Sequence, residues 1–303
     1  MAAPASTDEI REVNVRYHDL AAEHYDSKWG IDYGELGQSQ VTGKVAKALG
    51  GRLGHYARGL EIGAGTGYFG LNLTLAGVVD DYVASDISPG MLRVLEQTAG
   101  TLGIEVETAC TEASQLPFDD ESFDIVFGHA VLHHLPDLDG AFRELLRVLR
   151  PGGVIAFCGE PSHYGDRLAE VPKRAAYRLS PAWRALMRAR AAERGDSAEV
   201  AEEDALERVV DVHAFTPATL GRHARASGLA DVQVRGEELA ASLFGWANRS
   251  FEASARPEDV PMLWRKYAYH GYLALQRLDR AVLEPRLPAA VFYNLLISAR
   301  KPA

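Results

Sequence analysis

An α/β fold around a mostly parallel sheet is what the chain predicts, and three observations predict it. Short apolar segments of strand length alternate with stretches of helical spacing through the middle of the sequence, the pattern of a sheet whose strands are joined by helices. Glycines gather directly behind one of those segments, at Gly63, Gly65 and Gly67, where a strand gives way to a helix and backbone can approach a ligand closely. The composition is globular. Of 303 residues, 47% are hydrophobic and 24% charged, which leaves out disordered, collagen-like and coiled-coil chains.

Taken in order, Leu60–Ile62, Tyr82–Ser85, Ile104–Ala109, Phe123–Phe127 and Val154–Cys158 read as strands. Ser88-Pro89 supplies an N-cap and a first-turn proline for a helix whose Met91, Leu92, Leu95, Ala99 and Leu102 form an apolar stripe. Asp137 caps a second helix carrying Leu138, Phe142, Leu145 and Leu149, stopped by Arg150-Pro151-Gly152-Gly153. Beyond Glu160 the character changes. Residues 165–210 are rich in Ala, Arg and Glu at helical spacing, broken up by Pro172, Pro181 and Gly195. Strand patterns return near Val232–Arg235 and Phe292–Ala299. The expected organisation is a helical cap over 1–56, a core over 57–160, a helical insertion or lid over 161–214, and a C-terminal part over 215–303. That last part completes the sheet and carries a further helical insertion on the substrate side. All four Trp and ten of the twelve Tyr lie outside residues 57–160. They suit either a substrate chamber or the internal core of a helical subdomain.

Formal net charge is −10, from 42 acidic and 32 basic residues, which argues against nucleic acid or an anionic membrane as the main partner. The acidity is local. Residues 57–160 hold sixteen acidic and five basic side chains, whereas 161–303 hold eighteen and twenty-one. Lys173–Arg194 contains seven basic residues against the single acid Glu193, a flank that reads either as a solvated helix face or as an entry for a carboxylated or phosphorylated ligand. Two cysteines, Cys110 and Cys158, make neither a disulfide framework nor a cysteine-rich zinc site. The N-terminus lacks a basic start followed by an apolar stretch, and no apolar run approaches the ~20 residues that span a bilayer. A cytoplasmic protein, monomeric or homodimeric, with no membrane and no nucleic acid as partner, is expected.

The segment Leu60-Glu61-Ile62-Gly63-Ala64-Gly65-Thr66-Gly67-Tyr68-Phe69-Gly70 admits two readings. Gly65 to Gly70 satisfies the GxGxxG fingerprint of dinucleotide enzymes, and Asp86 follows at the distance of the ribose-binding acid, so an NAD(P)-dependent oxidoreductase using the Gly65-Gly67-Gly70 loop is one of them. Against it stands Glu61. A carboxylate at the strand end opposes a pyrophosphate and suits a cationic ligand.

Glu61-Ile62-Gly63-Ala64-Gly65-Thr66-Gly67 also matches in full the acidic-x-Gly-x-Gly-x-Gly signature of the class I S-adenosylmethionine methyltransferases, of the broad methyltransferase-11 type, which this sequence resembles. The resemblance continues through Ser85-Asp86-Ile87-Ser88-Pro89-Gly90-Met91-Leu92, Leu116-Pro117-Phe118-Asp119-Asp120-Glu121-Ser122-Phe123-Asp124, Val131-Leu132-His133-His134-Leu135-Pro136-Asp137 and Leu149-Arg150-Pro151-Gly152-Gly153. It covers the middle third closely and the flanks loosely. It implies a Rossmann-like, seven-stranded, mostly parallel sheet with an antiparallel last strand, in which Phe215-Thr216-Pro217-Ala218-Thr219-Leu220 opens the helix before the sixth strand. It implies S-adenosylmethionine as cofactor and a small-molecule acceptor, as in quinone and natural-product methyltransferases.

By the same resemblance, Gly63, Ala64, Gly65 and Gly67 form the loop that passes the methionine part of the cofactor, with Glu61 facing it. Asp86 bonds the ribose hydroxyls, since one carboxylate can accept two O–H donors. Ile87 and Met91 pack on the adenine, and Glu112-Ala113 stands where relatives have Asp-Ala, one methylene longer. Tyr25, in the stretch Tyr17–Trp29, resembles the tyrosine that closes over the sulfonium in quinone C-methyltransferases, where cation–π attraction would help. His129 lines the cofactor. For a hydroxyl acceptor, the bases to choose among are His129, His134, Glu160, His163 and His213, with His129 and His134 taken as catalytic. His133 and His134, at the start of the helix capped by Asp137, lack a third ligand at metal spacing, so no metal is expected. A cofactor-binding protein without turnover is the third hypothesis.

Overall fold

The computed structural model describes residues 7–22, 25, 30–192 and 213–303. One sheet holds seven strands, β1 (Tyr56–Ile62), β2 (Val79–Asp86), β3 (Glu107–Cys110), β4 (Phe123–His129), β5 (Leu149–Pro161), β6 (Ala230–Glu237) and β7 (Asn294–Arg300), in the order β3-β2-β1-β4-β5-β7-β6. Strands β3, β2, β1, β4 and β5 run parallel. Strand β7 runs antiparallel beside β5: Gly152 N–H donates to the Lys301 carbonyl at one end, and Ser162 N–H to the Tyr293 carbonyl at the other. After β3 the chain returns to the opposite side of β1. The β1/β4 boundary is therefore the topological switch point, beyond whose C-terminal strand ends ligands bind in open α/β sheets.

The α-helices are α1 (Thr7–Ala21), α2 (Glu35–Ala48), α3 (Tyr68–Leu75), α4 (Pro89–Leu102), α5 (Leu138–Val148), α6 (His163–Met187), α7 (Pro217–Ala226), α8 (Ala240–Glu252) and α9 (Met262–Leu278). No helix among the described residues is long and apolar enough to cross a membrane. The caps form as their residue types dictate. Ser88 accepts from Met91 N–H at 3.0 Å, Asp137 from Gly140 N–H at 2.8 Å, and Thr216 with Thr219 makes a capping box. The central strands are apolar on both faces, with Leu60, Val83, Ile125, Val126, Phe127, Ile155 and Phe157 fully buried.

Four expectations shift. The helix capped by Asp137 ends at Val148, so Leu149 is not part of it, and Leu149 with Arg150-Pro151-Gly152-Gly153 opens β5. Ile104 was expected to open the third strand, but Gly103 in the left-handed conformation closes α4 and Ile104 N–H bonds the Ala99 carbonyl, so β3 starts only at Glu107. Pro172 and Pro181 do not break the chain. Both lie within the continuous helix α6; the carbonyls left without an N–H partner belong to Leu168 and Tyr177, which are exposed and reachable by water. His133 and His134 occupy a separate 3₁₀ turn, Leu132–His134, ahead of α5. Gly195 lies outside the described residues.

The chain forms two compact units. The first comprises, of the described residues, 7–160, 213–234 and 296–303, and contains most of the sheet. The second comprises residues 161–192 and 235–295 and is mainly helical. It has its own small core: Trp183, Ala255 and Val260 are buried, with Phe251 and Trp264 packed on them. The Trp183 ring stacks on Phe251 at 5.6 Å and meets Trp264 edge-on at 5.2 Å. These two tryptophans therefore fill a subdomain core. Trp246 instead lines a groove with Lys173, Arg174, Tyr177, Arg178 and Arg249; Trp29 is outside the described residues.

Candidate functional site

At the end of β1 the backbone turns through Gly63 (φ +61°), Gly65 (φ +53°) and Gly67 (φ +93°). Gly63 is required twice, by its left-handed conformation and because a Cβ would fall 2.2 Å from Val131 Cγ2. The loop is tied to the end of β2. Ala64 N–H donates to the Ser85 carbonyl at 3.0 Å and Gly65 N–H to Asp86 Oδ2 at 2.8 Å, while Asp86 Oδ1 accepts from Ser88 N–H at 2.8 Å. One carboxylate thus joins the glycine loop to the entrance of α4. Each of its oxygens keeps a lone pair for a ligand. The Gly65 N–H that a pyrophosphate would need is already donated to an anion.

Glu61 does not face the cavity, contrary to expectation. Its side chain is buried, and Oε2 accepts from Gly70 N–H at 3.0 Å and from the Tyr82 hydroxyl at 2.5 Å. Burial pushes its carboxyl up to about 8, against these two hydrogen bonds. Alternation along β1 puts Glu61 between the sheet and α3, where it secures the helix start. Ala64 and Gly67 also lie off the cavity wall; Gly67 is the left-handed N-cap of α3.

The cavity at the switch point is a cleft with about 910 Å³ of empty space, its open mouth included. Tyr25, Gly63, Gly65, Asp86, Ile87, Met91, Glu112, Ala113 and His129 line it, as does His134. Glu112 does not stand free: it pairs with Arg11 at 2.5 Å and accepts from Ser114 Oγ at 3.3 Å. The wall residues that sequence reading missed include Arg11, Asn14 and His18, all on α1. Their spacing, three and then four residues, is the signal that could have found them, one polar face of a helix.

Of the base candidates, Glu160 is fully buried. It accepts from the N–H groups of Val131, Leu132 and His133, and it meets His133 Nδ1 at 2.9 Å. It is a cap for the turn after β4. His213 bonds the Leu135 carbonyl through Nε2 at 3.0 Å, and burial lowers its pKa; His163 begins α6 in the helical unit. His129 and His134 remain on the cavity wall. The His129 ring stacks on Phe69 at 4.5 Å, and His134 lies 3.9 Å from the His133 ring and 5.6 Å from that of His18. Among the described residues no group of three or more His, Cys, Asp or Glu could hold a metal.

This wall fits a nucleoside. Buried Met91 and the adjacent Ile87 give an apolar face, Asp86 an acceptor pair, and the buried Asn14 Oδ1 an acceptor with no partner. Comparison with known proteins agrees. Residues 60–157 match the family model of the methyltransferase domain. That stretch is similar to a methyltransferase domain, and the solved structures of similar fold include ones holding S-adenosylmethionine or S-adenosylhomocysteine. The chain is 38% identical over 184 residues to malonyl-[acyl-carrier protein] O-methyltransferase of Methylococcus capsulatus, covering 60% of this chain and 59% of that one. It is 34% identical over 155 residues to demethylmenaquinone methyltransferase of Clavibacter sepedonicus, covering 51% and 56%. It thus spans less than two thirds of the length of either relative. A solved phosphoethanolamine N-methyltransferase 2 of Haemonchus contortus has the same fold, with a TM-score of 0.60 at 18% identity over 97% of this chain and 61% of that one. The oxidoreductase alternative has no support in these comparisons.

Proposed function

We propose that the whole chain is an S-adenosylmethionine-dependent methyltransferase acting on a small-molecule acceptor, in a biosynthetic role in the cytoplasm. The observation that carries it is Asp86: a buried carboxylate on the cavity wall, oriented by two backbone N–H groups and keeping lone pairs for a ribose. S-adenosylmethionine supplies an electrophilic methyl group on a sulfonium leaving group. The chain's own residues bind and align. Gly63 and Gly65 leave room for the amino-acid tail, Ile87 and Met91 flank the base, and Tyr25 offers its ring to the positive charge. Holding nucleophile and methyl carbon in line in a dry site can lower the barrier by roughly 7–11 kcal/mol. His129 or His134 takes the proton of an O–H or N–H acceptor, a contribution of about 10²–10⁴-fold.

The acceptor is proposed to be anionic, carboxylated or phosphorylated. Lys173, Arg174, Arg178 and Arg249 gather around Trp246 and Tyr177 in the helical unit, with Lys173 Nζ 4.2 Å above the Trp246 ring. This agrees with a relative named for malonyl-[acyl-carrier protein]. Calorimetry with S-adenosylmethionine tests the core of the reading. The wild type is expected to bind it, and Asp86→Ala to weaken binding by about tenfold to a hundredfold, the loss of hydrogen bonds to a charged group. Tight NAD(P)H binding without S-adenosylmethionine binding would overturn the proposal.

A further inference from the structure

We infer that α1 is a recognition wall of the cofactor cavity, in which Asn14 accepts a hydrogen bond from the bound nucleoside and Asp19 latches the helix to the entrance of α4. The inference rests on the cavity being the S-adenosylmethionine site. Asn14 lines that cavity at 4% exposure, and its Nδ2 donates to the Ile10 carbonyl at 2.9 Å. That bond fixes which way the amide points. It leaves Oδ1 a buried acceptor with no partner, a state that folded proteins rarely tolerate. One turn earlier, Arg11 directs its terminal nitrogens to Asp8 and Glu112, and its buried Nε, itself without a partner, makes no bond to Asn14, so Arg11 does not supply the missing donor. A nucleoside does, through its exocyclic amine or its ribose hydroxyls.

The second half of the wall is its attachment. Asp19 Oδ1 accepts from Ser88 Oγ at 2.6 Å and from Gly90 N–H at 2.8 Å. It thereby takes up an N–H of the first turn of α4, one of the groups that has no partner within its own helix. Gly90 has no left-handed backbone to require glycine. A Cβ there would instead lie 2.6 Å from Asp19 Oδ1 and 3.3 Å from Asp19 Cα, so glycine at this position is what lets α1 approach. Asp86 bonds Ser88 N–H from the cavity side while Asp19 holds Ser88 Oγ from α1. One serine therefore couples the ribose-side carboxylate to the latch.

Two variants of the full chain separate recognition from attachment, read by calorimetry with S-adenosylhomocysteine and by amide hydrogen exchange of α1. Asn14→Ala is expected to weaken binding by about fivefold to tenfold, the value of one hydrogen bond. With the deaminated analogue S-inosylhomocysteine that loss disappears if the amine is the donor and persists if a ribose hydroxyl is. Gly90→Ala keeps α4, since alanine is the better helix former, yet it is expected to weaken binding and to abolish the protection of α1 that the ligand confers in the wild type. Wild-type binding with both variants unchanged would overturn the α1 wall alone. Failure of the wild type to bind either cofactor form would overturn the cofactor reading beneath it.

Discussion

A carboxyl group sealed between a sheet and a helix titrates far from where it would in water, and Glu61 is such a group. Its ordinary value near 4.5 is pushed up to about 8 by burial. Between those two values the native chain holds a proton that the unfolded chain has released, so stability falls as pH rises across that window, by at most ~1.4 kcal/mol per pH unit. Glu61→Gln keeps a carbonyl oxygen for Gly70 N–H and the Tyr82 hydroxyl but cannot ionise. Urea midpoints of the wild type are expected to fall between about pH 5.5 and about pH 8, and those of Glu61→Gln to fall less over the same range. Parallel curves would mean that Glu61 titrates as an ordinary carboxylate. The same residue marks where sequence reading stops. That an acid ends the first strand is visible in the motif. Which side of the strand it faces depends on the register of β1 against β2 and on Tyr82, 21 residues away.

At the scale of elements, glycines in helices separate into those that packing requires and those it does not. Gly70, in the first turn of α3, faces Tyr82 of β2, and a Cβ would come within 2.1 Å of that ring. Gly100, near the end of α4, is exposed, with nothing within 4 Å of the equivalent position. Gly70→Ala is therefore expected to cost about 1–3 kcal/mol through overpacking, and Gly100→Ala to stabilise by about 0.8–1 kcal/mol. Urea unfolding at constant m checks both. The strands and the two capped helices were legible because apolar runs and caps are local signals, whereas the antiparallel last strand was legible only through the family resemblance, since strand direction is set by distant pairing. That Tyr25, Asp86, Ile87, Met91, Glu112, Ala113 and His129 line one cavity follows from the motifs in which they stand; their roles there are part of the proposal. Arg11 and Asn14 were not legible: a polar helix face looks the same in sequence whether it meets water or a cavity, and it is tertiary contacts that turn α1 inward, those of Asp19 with Ser88 and Gly90, of Arg11 with Glu112 and of Ala21 with Met91.

For the molecule as a whole, the net charge of −10 is an uneven sum. The stretch 57–160, which carries the cofactor cavity, accounts for an excess of eleven acids, while residues 161–303 carry three more bases than acids. Within the helical unit Lys173 and Arg174, beside Trp246, share two acids. Lys173 lies 3.8 Å from Asp166 and 3.5 Å from Glu170, and Arg174 lies 3.3 Å from Glu170. Among the described residues Arg178 makes no ion pair. Attraction of an anionic acceptor to exposed cations is screened as the Debye length shrinks from about 8 Å at physiological ionic strength to about 3 Å at 1 M. Cofactor binding by Asp86 and Asn14 inside the cavity, as proposed above, would by contrast use hydrogen bonds that salt screens little. The acceptor KM is accordingly expected to rise about severalfold between roughly 50 mM and 500 mM salt while the cofactor Kd holds nearly constant. Arg178→Glu should raise KM at low salt and flatten its salt dependence, because a charge reversal subtracts two units from the field the acceptor meets. Steady-state kinetics on the physiological acceptor decide this, and a salt-insensitive KM in the wild type would remove the anionic acceptor from the proposal while leaving the methyltransferase reading intact.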